Sequence, residues 1–93
     1  MEKEFIQLYL TQSEKNVAVM RENQKDGETT PWSEAAHQLK GGSANMGAQK
    51  LRALCEKGQH MIVGTKAERE ELFADIEKNF NEVKEFLEKH IAA

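Results

Sequence analysis

The sequence predicts an all-α protein, an antiparallel four-helix bundle running up-down-up-down. Apolar residues recur at threes and fours in four successive segments. Short breaks carrying glycine or proline separate those segments. No stretch alternates with the period of two that a half-buried strand requires. The chain of 93 residues is long enough for one domain, 1–93, and short connections between helices favour antiparallel neighbours.

The first helix is expected from about Glu4 to Asn23, with Phe5, Leu8, Tyr9, Val17 and Met20 on its apolar side. Gln12, Ser13 and Asn16 make its middle polar, so its ends should pack better than its centre. Asp26 and Gly27 break the pattern. The second helix opens at Thr30, a capping residue, and Pro31, which suits the first helical position because it lacks an N–H. Glu34 is read as lying in the first turn, where the helix dipole favours an acid. Trp32, Ala36, Leu39, Ser43 and Met46 form the inward stripe, which fades near Asn45. Gly47 permits a tight turn into a third helix, from about Ala48 to Val63. Its apolar face is Leu51, Leu54, Cys55, Met61 and Ile62, and Gly64 is expected to end it in a left-handed conformation. The fourth helix begins with Thr65 and Glu68 at capping-box spacing. Leu72, Phe73, Ile76, Phe80, Val83, Phe86 and Leu87 follow, and glutamates and lysines crowd the opposite side.

Composition removes several classes of function. With 39% hydrophobic and 31% charged residues the chain has the means to fold, unlike a disordered segment. A net charge of -3 without any basic run argues against nucleic acid. Apolar runs are far too short for a membrane span, and Glu2, Lys3 and Glu4 open a mixed segment unlike a signal peptide. Cys55 is the single cysteine, so no internal disulfide is expected, and the histidines have no zinc-like spacing. The expectation is a cytoplasmic monomer that binds no cofactor.

The stretch AAHQLKGGSANMG, Ala35 to Gly47, asks for a functional explanation. At about 100° per residue, His37 falls roughly 140° from Trp32, outside the inward stripe. Lys40, Gly41 and Ala44 lie near it at offsets of three, four and seven. Imidazole is a nucleophile that can accept a group covalently. Lys40, one turn on, can balance anionic oxygens. Gly41 removes the side chain that would block a partner, at a cost of about 1 kcal/mol against alanine. Gly42 points elsewhere and suits a helix–helix contact. Plainer readings stay open: a surface histidine, a solvated lysine, and glycines that merely mark a helix end.

The longer window AAHQLKGGSANMGAQKLRALC resembles the core motif of histidine-containing phosphotransfer domains. Ala36, His37, Leu39, Lys40, Gly41, Gly47, Ala48, Leu51 and Cys55 carry the resemblance, and the helical layout agrees along nearly the whole chain. The resemblance implies a phosphoryl group carried on His37, at Nε2, with Lys40 and Gly41 as its supporting residues. It implies partners that dock on the first two helices, where Phe5, Leu8 and Tyr9 would offer an apolar patch. Those partners would be response-regulator receiver domains, including the receiver of a hybrid histidine kinase, with magnesium in the partner's acidic pocket. The chain would be a phosphoryl carrier without kinase activity of its own, consistent with the lack of a glycine-rich nucleotide loop. A receiver-binding adaptor that carries no phosphate, or an inert structural bundle, would be the alternatives.

The motif has departures. Gly42 stands where serine is usual, and Gly58-Gln59 where Leu-Glu is frequent. Few residues precede the second helix, so an extra N-terminal helix found in some members is expected to be missing. His60 and His90 are isolated near helix ends. Trp32 should anchor one end of the bundle, Cys55 should pack inward, and Gln38 flanks His37 on the polar side.

Overall fold

The computed structural model describes residues 3–92; Met1, Glu2 and Ala93 lie outside it. Four helices fill it: α1 (Lys3–Glu22), α2 (Thr30–Asn45), α3 (Gln49–Gln59) and α4 (Lys66–Ala92). They pack antiparallel around one core, each against its sequence neighbours, with α1 closing against α4. Ion pairs Arg21–Glu77 and Glu14–Lys84 fix the antiparallel register of that last pair. The helices are also joined by a feature the periodicity does not reveal. Strands β1 (Gly27–Glu28) and β2 (Val63–Gly64) pair antiparallel, Gly27 with Gly64 and Glu28 with Val63. Two residues are too few to show alternation.

In α1 the buried positions are Ile6, Tyr9, Ser13, Val17 and Met20, spaced by threes and fours. This corrects the expected stripe: Phe5 and Leu8 are 61% and 54% exposed, and Ile6 takes the core position. The polar centre packs, because Ser13 is buried. Asn23 ends the helix, its side-chain amide donating to the Val19 carbonyl at 2.7 Å.

The start of α2 also differs from expectation. Thr29, not Thr30, precedes the helix, in extended backbone and without a side-chain cap. Its N–H donates to the Ile62 carbonyl at 2.8 Å, which holds the extended residue beside the other connection. Pro31 sits at the helix start as expected, whereas Glu34 falls beyond the first turn. Trp32 is wholly buried and donates through Nε1 to the Gly58 carbonyl at 2.9 Å. Ser33 donates to the Gln59 carbonyl at 2.6 Å. These two bonds tie the beginning of α2 to the end of α3.

Gly47 makes the α2–α3 turn. Its φ of +75° is left-handed, which glycine adopts without a Cβ penalty. Ala48 N–H donates to Ser43 O at 2.9 Å and Gly47 N–H to Ala44 O at 3.1 Å, the two bonds of a Schellman motif. Helix α3 ends at Gln59, short of the expected Val63, and Gly64 is not left-handed. Ile62 and Val63 are exposed in the connection, so their apolar character extends no helix. The capping box of α4 is present: Glu68 N–H donates to Thr65 Oγ1 at 3.1 Å, and Thr65 N–H to Glu68 Oε1 at 3.0 Å. Asp26, from the first connection, accepts from Lys66 N–H at 2.7 Å and satisfies another free donor there. Along α4 the expected stripe is buried except that Val83 is partly covered and Phe86 is 70% exposed.

Arg69 belongs to the buried set although it reads as a surface residue. It is wholly buried on the apolar side of α4. Its guanidinium donates to the carbonyls of Met61 (2.7 Å), Ile62 (2.9 Å), Lys25, and at longer range Gly64 (3.4 Å). It also lies 5.9 Å from the centre of the Trp32 ring. One side chain thus gathers both long connections over the start of α2.

Candidate functional site

His37 lies midway along α2 and is exposed, as the wheel predicts. The inward residues Ala36 and Leu39 fix the face it presents, and the anchoring of Trp32 and Ser33 fixes the helix one turn earlier. Two concavities meet at the ring. The larger is an open groove of about 740 Å³ between α1 and α2, with Leu8, Tyr9, Gln12, Gly41 and Asn45 among its walls. A shallower hollow of about 330 Å³ lies towards the end of α3, where Ser33, Glu34, Gln38 and Gln59 surround His37.

The neighbouring glycines do different work. A Cβ on Gly41 would meet nothing within 4 Å, so the turn after His37 opens onto free space. A Cβ on Gly42 would lie 3.0 Å and 3.2 Å from Tyr9 ring carbons. Gly42 therefore serves the approach of α1 to α2, as its position on the wheel suggests. Tyr9 is buried here, and its hydroxyl shares a 3.0 Å hydrogen bond with Ser43. Burial pushes the Tyr9 phenol above its ordinary range, against a smaller opposing pull from its hydroxyl partners, so it stays neutral.

Lys40 is half-buried one turn beyond His37 and lines neither concavity. Among the described residues no carboxylate pairs with its ammonium, which leaves its donors for an anion. The groove itself contains no Asp, Glu, Lys or Arg. Besides the His37 ring its polar groups are amides and hydroxyls, and Phe5 and Leu8 supply its exposed apolar surface. Such a surface associates by burial of apolar area, with little electrostatic steering.

The structure brings His37 and Gly41 to one groove and leaves Lys40 at its margin. His60 caps the end of α3 and His90 lies in the last turn of α4, and neither lines a concavity. Cys55 is wholly buried, and burial pushes its thiol up to about 12, which makes it inert as a nucleophile. Gln12 and Asn16 are groove residues that periodicity alone does not single out. Their spacing of four on one face of α1 was the available sign. Gln59, in the hollow, is also not singled out by periodicity; it lies next to His37 only because α3 folds back along α2.

Among the described residues no cluster of three His, Cys, Asp or Glu side chains is placed to hold a metal ion, and no helix is long and apolar enough to cross a membrane. No curated protein and no solved structure matched the chain. A family model did: that of the Hpt domain aligns with residues 4–92, and the chain belongs to the histidine-containing phosphotransfer (Hpt) domain family.

Proposed function

We propose that His37 is the residue that carries the phosphoryl group. Membership of the family gives the chain a histidine-mediated phosphotransfer role between receiver domains, as a carrier and not an autonomous kinase. Three exposed histidines compete for that role. The observation that supports His37 is its setting: it alone of the three lines the α1–α2 groove, with empty space over Gly41 on the following turn.

In the proposed step the donor is a receiver domain phosphorylated on aspartate. His37 Nε2 attacks phosphorus in line, a nitrogen–phosphorus bond forms, and the bond from phosphorus to the aspartate oxygen breaks. The electron pair leaves with the carboxylate. Charge spreads over the equatorial oxygens in the transition state, and Lys40 balances part of it. Gly41 lets the partner's surface come within bonding distance of the ring. The reverse reaction passes the group to a second receiver aspartate. A hybrid kinase receiver on one side and a response regulator on the other would make this a relay. Magnesium would be held by the partner's acidic pocket; among the described residues of this chain no cluster of three His, Cys, Asp or Glu side chains is placed for it. The reading is completed by a monomeric, cytoplasmic carrier in which residues 1–93 form one domain.

The test is to incubate the chain with phosphorylated receiver domains and magnesium and to follow acid-labile, base-stable label. The wild-type chain should take label and His37→Gln should take none while keeping its helicity. Label on His37→Gln at the wild-type level would move the site to His60 or His90. Uptake by neither protein from any receiver would favour the adaptor reading.

A further inference from the structure

We propose that Tyr9 and Gly42 are a matched pair that sets how α1 lies along α2, and thereby selects which receiver surfaces the groove accepts. The inference rests on the receiver-docking reading above and names the selectivity element within it. Ordinary contacts of a Cβ atom begin near 3.4 Å, and the positions beside Gly42 are at 3.0 Å and 3.2 Å. A side chain there requires the Tyr9 ring to give by a few tenths of an ångström. The ring has little freedom to swing aside, because it is 5% exposed and its hydroxyl is tied to Ser43, the very next residue after Gly42. The displacement therefore passes to the backbone of α1.

Phe5, Leu8 and Gln12 sit four residues before, one before and three after Tyr9, and all line the groove beside His37. They move with α1. The groove contains no Asp, Glu, Lys or Arg, so fit depends on the shape of this wall rather than on charge. Gly41 provides the contrast: its Cβ position is empty, so a small side chain there leaves α1 where it is. Adjacent glycines thus control two separate properties, access to the ring and spacing of the docking surface.

The experiment measures kcat and KM for transfer from receiver domains of the same genome, each phosphorylated with acetyl phosphate in magnesium buffer. For the best wild-type donor, Gly42→Ala should raise KM about tenfold while kcat changes less than about threefold, the signature of displaced binding groups with intact chemistry. The double variant Gly42→Ala with Tyr9→Leu removes the ring that clashes, and should recover at least about a third of the lost kcat/KM. Tyr9→Phe frees the ring from Ser43 without adding volume, and should raise KM about threefold in the same direction. If Gly42→Ala does not fold, Tyr9→Phe decides alone. An unaltered KM in these variants, or equal losses in kcat and KM-limited rates, would overturn the inference while leaving His37 as carrier. A wild-type chain that accepts label from no receiver would overturn the docking reading first, and this inference with it.

Discussion

Replacing Arg69 by Met tests the claim that one buried cation holds the two connections over the start of α2. The substitution keeps an unbranched apolar stem and removes the guanidinium. In the native chain that group donates short bonds to Met61, Ile62 and Lys25 carbonyls and a longer one to Gly64. Bonds from a charged donor are worth about 1.5–3 kcal/mol each, and the contact with Trp32 adds about 1 kcal/mol. Removing the cation also removes the several kcal/mol spent on desolvating it, and water reaches carbonyls in exposed connections. The net loss should be about 3 kcal/mol. A chain of this size has roughly 5–14 kcal/mol of stability, so the variant should fold but melt roughly 12–24 °C lower. Urea unfolding followed by fluorescence of Trp32, the single tryptophan, measures this directly. A lower midpoint at unaltered m-value is expected. A loss below about 1 kcal/mol would mean that the carbonyls have no need of the arginine and that the connections are held by other contacts.

Other consequences can be checked separately. Gly41→Gln should leave helicity intact and raise stability by up to about 1 kcal/mol, because a side chain in empty space restores helix propensity; phosphoryl uptake should nevertheless fall at least about tenfold, and normal uptake by the folded variant would remove Gly41 from the site. Lys40→Ala should slow transfer without abolishing it, and added salt should shrink the difference from wild type; equal rates at low salt would mean the lysine plays no part in the chemistry. Burial pushes the Cys55 thiol from 9.0 up to about 12. Between those values the unfolded chain has lost this proton while the native chain still holds it, so stability falls as pH rises, by roughly 1.4 kcal/mol per pH unit. The raised phenol of Tyr9 adds a fall of the same sign above its ordinary 10.0. Cys55→Ala should flatten the first part of that decline, and parallel urea titrations across this range with equal slopes would contradict the assignment.

The helices with a wide apolar stripe and a clear capping signal were legible in the sequence. Thr65 and Glu68 announce α4, Pro31 announces α2, and Gly47 announces the turn between α2 and α3, because each feature is local. What was hidden depends on distant parts of the chain. Phe5, Ile6, Leu8, Tyr9 and Leu10 offer more apolar residues than one helix face can bury, so which of them enter the core is decided by where α2 and α4 lie. Met61, Ile62 and Val63 continue the apolar character of α3 but belong to a connection, which β pairing and Arg69 hold open as extended chain. Arg69 did leave a trace: it precedes Leu72 by three and Ile76 by seven, on the apolar stripe. Its partners are main-chain carbonyls, which no residue type announces. At the site, His37 and Gly41 were legible from the wheel because exposure on a helix is a matter of angle. The wall from α1 was legible only through the family resemblance, which puts Phe5, Leu8 and Tyr9 beside the docking face; periodicity alone could not place it, since it comes from another helix.

Phosphorylation of His37 can be seen by nuclear magnetic resonance of the isotope-labelled chain after transfer from a phosphorylated receiver. Nitrogen–phosphorus coupling should appear at Nε2 of His37, and the rings of His60 and His90 should show none. Coupling at either of those two rings, with His37 unaltered, would contradict the account.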